Sequence, residues 1–271
     1  MIAIVSDSSI LLSKKEAVDL GIHIVPMRYA AAGHSFHEQY SDTNGEFESL
    51  LNTYKCTTSQ PSSAAYMSTF KELRRQGYEV LCFVISSRLS GSYSSASIAA
   101  KEVDEGKIRI VDTRTVGGGI RFLAERAKEL IEQNFSLEEI ALTLERERDN
   151  TAIVFSVENM EPLRRSGRLG FIRQSIGTVL NIRPILVCRE GAIVSEGFAK
   201  GSRQQMEKIV ETIPKNVKKI IIHYLGNKSL ANDLAAAISG KFPNITPIIA
   251  MAGPVLGIHL GIPAIGAAWF L

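Results

Sequence analysis

An α/β fold is predicted for this chain, on three observations. Short apolar runs alternate with amphipathic helical patterns through the first 150 residues, which argues for a mostly parallel sheet covered by helices. Apolar runs end in hydroxyl-rich turns, Ser6-Asp7-Ser8-Ser9 and Ser86 to Ser95, where open α/β sheets place their ligands. After about residue 150 the rhythm changes to hairpin and mixed patterns. Two units are therefore expected: an N-terminal α/β domain over residues 1–150, and a C-terminal mixed α+β domain over 151–271.

In order, residues 2–5 read as a strand, and Ser13 caps a short helix reaching about Leu20. Residues 22–27 read as a strand interrupted by Pro26. Residues 31–45 are polar and turn-rich and read as a solvated loop. His34, His37 and Glu38 lie there, a triplet that could be drawn as a metal site but lacks a further regularly spaced ligand. Thr57 to Ser63 reads as a hydroxyl-rich loop feeding a helix, with Pro61 near the first turn, Tyr66, Phe70 and Leu73 at helical spacing, and Gly77 at the end. A buried strand over 80–85 leads through a serine-rich turn into a helix over 92–104, with Ala96, Ala99, Ala100 and Val103 on one face. A strand over 108–112 follows. Gly117-Gly118-Gly119 opens a helix over 120–133, and the capping box Ser136-x-x-Glu139 opens another over 137–148.

The second half begins with a strand over 152–157 and a polar segment over 159–168 ending Arg164-Arg165-Ser166-Gly167-Arg168. A helix is expected over 171–180, then a hairpin of strands 182–187 and 192–199 around Glu190-Gly191. Ser202-x-x-Gln205 reads as a helix cap. A strand over 219–224, a helix over 228–239 and strands over 245–251 and 264–270 complete the chain. Between the last two strands, residues 253–261 read as a glycine-rich loop carrying His259, exposed so that backbone can approach a ligand.

Composition narrows the function. Lys plus Arg is 31 and Asp plus Glu is 28, a net charge of +3 that gives no argument for nucleic acid. Three widely spaced cysteines form no C-x-x-C, which fits a reducing compartment. The apolar run before Ser6 is too short for a signal peptide, and no apolar segment approaches the ~20 residues of a membrane span. A cytoplasmic protein is expected. No P-loop, G-x-S-x-G or G-x-G-x-x-G is found.

The turn Ser86 to Ser95 can hold an anion, because a strand end, several hydroxyls and a helix start meet there. Turn and cap duties are the simpler reading of Ser87, Ser92, Ser94 and Ser95. A serine hydrolase or acyltransferase can be drawn from Ser90 and His259, with Asp7 as the orienting acid. Arg168 reads as a surface charge or as a partner contact.

Several stretches resemble the DegV family, the fatty-acid-binding proteins that include the fatty-acid-carrying subunit of bacterial fatty acid kinase. They are Ser6-Asp7-Ser8-Ser9, Thr58-Ser59-Gln60-Pro61-Ser62, Ile85 to Ala96, Ser166-Gly167-Arg168, Ile182 to Leu186 and Gly257-Ile258-His259-Leu260-Gly261. They run in order from one end of the chain to the other. The resemblance implies a two-domain protein with a long-chain fatty acid between its domains and no other cofactor. It implies that Thr58, Ser90 and His259 hold the carboxylate, with Gly91 and Ser92 in the same binding motif. It also implies that Arg168 faces a kinase that phosphorylates the bound fatty acid for phospholipid synthesis, making this chain a carrier rather than a catalyst. Contact with a membrane would be transient. The sequence departs from the family pattern at Ser92, which keeps the usual threonine's hydroxyl, at Ser166 in place of a glycine, and at Ile262-Pro263 after Gly261. Candidate tail-lining residues lie in the apolar segments 172–187 and 248–258.

Overall fold

Three sheets carry the fold in a computed structural model, which describes residues 1–169 and 182–271. The elements run β1 (Ile2–Asp7), α1 (Lys14–Leu20), β2 (Ile22–Val25), β3 (Met27–Ala31), β4 (His34–Glu38), α2 (Phe47–Thr53), β5 (Thr57–Ser59), α3 (Ser63–Arg75), β6 (Glu79–Val84), α4 (Ser92–Asp104), β7 (Ile108–Asp112), α5 (Gly118–Glu132) and α6 (Leu137–Glu147). Then come β8 (Thr151–Val157), α7 (Glu161–Ser166), β9 (Ile182–Arg189), β10 (Ala192–Lys200), α8 (Gly201–Thr212), β11 (Lys219–Leu225), α9 (Lys228–Lys241), β12 (Ile248–Met251), α10 (Pro254–Leu260) and β13 (Ala264–Phe270).

The first sheet has the order β2-β1-β6-β7, and all its pairs are parallel. Its central strands β1 and β6 are mainly apolar runs because both faces are covered. Tyr66, Phe70, Ala96 and Ala99 of α3 and α4 pack on one face. Ile120, Leu123 and Ala127 of α5, with Ile140 and Leu144 of α6, pack on the other. The second sheet, β10-β9-β8-β13-β11-β12, is antiparallel except for β11 with β12. Helices α8 and α9 cover one face through Ile209, Leu234 and Ile238. Helix α5 reaches the other, so one apolar cluster joins Leu81 and Phe83 of the first sheet to Ile221 and Ala268 of the second.

Most strands and helices lie where the periodicity places them. The β9–β10 hairpin turns at Glu190 and Gly191, whose φ values of 49° and 80° suit the mirror-image turn that matches strand twist. Ser13 and Ser136 both form complete capping boxes.

The differences have local causes. Pro26 separates β2 from β3, and the two strands join different sheets. Residues read as a loop over 31–45 include β4, and Thr57–Ser59 is β5; both flank β3 in a third, antiparallel sheet ordered β4-β3-β5. Helix α2 had no sequence signal strong enough to predict it. The stretch 253–261 is not a loop, because Pro254 at the first helical position starts α10. The segment 159–168 contains the short helix α7. Ser202 caps nothing: α8 starts one residue earlier, and buried Gln205 instead donates to Ser156 and accepts from Arg183. The helix expected over 171–180 lies outside the described residues. Among the described residues no helix is long and apolar enough to cross a membrane.

Candidate functional site

Sheet register puts Thr58 on the edge strand β5, opposite Tyr29. Helix α10 lies across this small sheet. Its Gly257 faces Phe47 and Leu51 of α2. That placement carries His259 to Thr58, with Nε2 and Oγ1 2.7 Å apart across 201 positions of sequence. The other ring nitrogen, Nδ1, is buried and has no partner among the described residues. Burial first, and the nearby Arg168 guanidinium second, lower the His259 pKa to about 4, so the ring is neutral at pH 7.

Ser90 ends the turn after β6. Its amide donates to the Ser86 carbonyl, and its hydroxyl lies 3.1 Å from the Ser92 hydroxyl and accepts from the Ser92 amide at 3.3 Å. Gly91 lies against Gln60, whose side-chain nitrogen would stand 2.7 Å from a β-carbon added there. Thr58, Gln60, Ser90, Arg168 and His259 line one cavity. Gly91 and Ser92 do not line it; Ser92 is fully buried behind Ser90. Arg168 is exposed, and its guanidinium donates to the Leu89 and Ser166 carbonyls.

The cavity walls come from both halves of the chain. Leu11, Met27, Ile85 and Val116 face Ile153, Phe155, Leu225, Val255 and Ile265 across it. Its empty space, mouth included, is about 1160 Å³. Its walls are mostly apolar. Of the apolar segments expected to supply a lining, Ala252, Val255 and Leu256 do so, residues 182–187 do not, and 172–181 lie outside the described residues. Strands β8 and β13 contribute walls that hydropathy alone could not distinguish from core.

The residues drawn as a catalytic triad are not connected. Asp7 is wholly buried at the end of β1, where it accepts from the Ile85 amide at 3.1 Å and from the Ser9 amide and hydroxyl. Burial raises its pKa, against the hydrogen bonds that lower it. His259 Nε2 is held by Thr58, and the Ser90 hydroxyl by Ser92. A base without its orienting acid or its nucleophile lacks the triad's geometry.

Two buried titratable groups in the cavity were not anticipated. Glu38, on β4, is only 2% exposed, and burial pushes its carboxyl up to about 7. It does not converge with His34 and His37, which are on the exposed side; His37 instead meets Arg28 at 3.1 Å. His223, on β11, accepts from the Gly118 amide at 2.8 Å, and burial lowers its pKa to about 4. Strand alternation could have flagged Glu38 only once β4 was known to be a strand.

Glu38, His223 and His259 each contribute to the acid response. Each histidine has a folded-state pKa below its ordinary 6.5, so the unfolded chain binds those protons first and stability falls as pH drops from 6.5 toward 4. Glu38 acts oppositely between about 7 and its ordinary 4.5, where the folded state binds the extra proton. Between pH 6.5 and 4.5 the two histidines outweigh Glu38, so stability should fall as the pH drops, and should fall more steeply in Glu38→Gln. Denaturant unfolding at pH 7, 6 and 5 checks this; equal slopes for both proteins would contradict it.

The DegV family model, described as "Uncharacterised protein, DegV family", matches residues 1–271. A DegV domain-containing protein of Halalkalibacterium halodurans is 30% identical, covering 100% of this chain and 98% of its own. A fatty-acid-binding DegV family protein from Thermus thermophilus superposes with a TM-score of 0.88 at 30% identity, covering 100% of this chain and 99% of that one. DegV, a fatty acid binding protein from Bacillus subtilis, gives 0.87 at 26% identity, with 100% and 99% covered.

Proposed function

The chain belongs to the DegV family, and from that premise we propose that it carries a long-chain fatty acid and presents its carboxylate to a kinase that forms an acyl phosphate. The observation that carries this reading is the apolar cavity lined at one point by the Thr58–His259 pair. In this reading residues 1–150 and 151–271 are two lobes, with the acyl tail between them.

The chemistry is consistent on both ends of the ligand. Each buried methylene contributes ~0.8 kcal/mol, so the tail dominates affinity. The head group must keep its hydrogen bonds, because a carboxylate stripped of water without partners is very costly. Neutral His259 donates through Nε2–H to Thr58, which frees the Thr58 hydroxyl proton for a carboxylate oxygen. Ser90 supplies a second hydroxyl from the opposite turn, held in place by Ser92 behind it. Gly91 lets Gln60 close over the same end. The protein is taken to work in the cytoplasm, meeting a membrane only transiently.

Mass spectrometry of the organic extract of purified protein tests the reading directly. A long-chain fatty acid at about one per chain is expected. Failure to retain one even after incubation with oleate would remove the proposal. Arg168, exposed at the mouth, is assigned to the kinase. Arg168→Ala should keep its lipid but yield less acyl phosphate when the kinase partner and ATP are added. Loss of the lipid itself would place Arg168 in the head-group site instead.

A further inference from the structure

We propose that Glu38 is a positioning residue for the head-group site, latching the start of α10 so that His259, one helical turn further on, meets Thr58. This deepens the proposed function and rests on it.

The latch is visible in the geometry. Glu38 stands opposite Met27 on β4, two residues along the sheet from the row containing Tyr29 and Thr58. Its Oε2 accepts from the Val255 amide at 2.6 Å, which is the carboxyl's hydrogen bond among the described residues. Val255 and His259 are four residues apart on α10, hence on one face of the helix. α10 is therefore held twice to the same small sheet, in its first turn by Glu38 on the Val255 amide and one turn further on by Thr58 on the His259 ring. The same helix borders the cavity, through Val255, Leu256 and His259.

Gly253 supports the assignment independently. Its φ of −92° is open to any residue, so backbone conformation does not demand glycine there. A β-carbon would instead fall 2.6–2.9 Å from the Glu38 carboxyl atoms. The position is small because the carboxyl occupies the space. Burying a carboxyl with one hydrogen bond works against stability, and a leucine would fill the same place without that cost. Holding α10 in one register is the return for it. With the latch open, α10 can shift on its apolar contacts to Phe47 and Leu51 by a fraction of a turn. A movement of that size breaks a 2.7 Å hydrogen bond but leaves an apolar wall intact.

The test compares oleate with methyl oleate, which share a tail and differ at the head. Glu38→Leu removes the latch, Gly253→Ala displaces it with Glu38 still present, and Glu38→Gln keeps an acceptor of the same size. Glu38→Leu and Gly253→Ala should each reduce the preference for acid over ester about tenfold. Glu38→Gln should recover most of that preference. The His259 ring ¹H–¹⁵N signals of the ligand-free protein should move in the first two variants and stay near wild type in the third.

Equal loss of acid and ester, or an unchanged preference, would overturn the latch, since a merely structural glutamate acts on both ligands alike. Wild-type protein that binds neither ligand would sink the fatty-acid reading instead. The ring signals would still decide the latch, and signals unmoved in Glu38→Leu and Gly253→Ala would refute it.

Discussion

Thr58→Val should weaken binding of a long-chain fatty acid by about tenfold to a hundredfold, with the methyl ester nearly unaffected. Valine keeps the shape of threonine and removes only the hydroxyl. That hydroxyl is the group 2.7 Å from His259 Nε2, and it is the donor assigned to the carboxylate. A hydrogen bond to a charged group is worth about 1.5–3 kcal/mol, and this range sets the expected factor. The variant should also melt somewhat lower, because the largely buried imidazole loses the partner of Nε2 and already lacks one at Nδ1. Titration of acid and ester by calorimetry separates the two effects. If both ligands weaken alike, Thr58 shapes the wall and does not hold the head.

Gly118→Ala should cost about 3 kcal/mol and lower the melting temperature by about 6–12 °C. Gly118 opens α5, the helix packed between the first sheet and the second. A β-carbon there would stand 2.8 Å from Ala268 Cβ and 3.1 Å from Ile221 Cβ. Neither neighbour can rotate away, since a β-carbon moves only with its backbone. The strands or the helix must give, and the Gly118 amide would be pulled from His223 Nε2, now 2.8 Å away. His223 and Gly117 both line the cavity, so the strain reaches it as well. Differential scanning calorimetry checks the shift. A change under 2 °C would mean that the junction is looser than these distances describe.

Much of the fold was legible because its elements are long and periodic. The strands over 108–112 and 264–270 and the helix over 92–104 lie where their patterns place them. Ser13 and Ser136 marked helix starts by a mechanism confined to four residues. The small sheet β4-β3-β5 was hidden for the converse reason. Its strands are three to five residues long, and β4 reads His-Ser-Phe-His-Glu, with too little apolar signal to stand out from a loop. Glu38 was lost with it, because a glutamate is read as solvated unless packing shows otherwise.

By its residues alone, this chain determined the α/β class, the family resemblance and the candidates Thr58, Ser90, His259 and Arg168, since each rests on local pattern or motif. Tertiary structure alone decided which groups share a cavity, that Gly91 and Ser92 stand behind it, that Asp7 braces loops away from the histidine, and that Glu38 holds α10. The reason is physical. Burial and hydrogen-bond pairing are set by elements that meet across as many as 217 positions, and local periodicity carries no information about which distant faces will pack together.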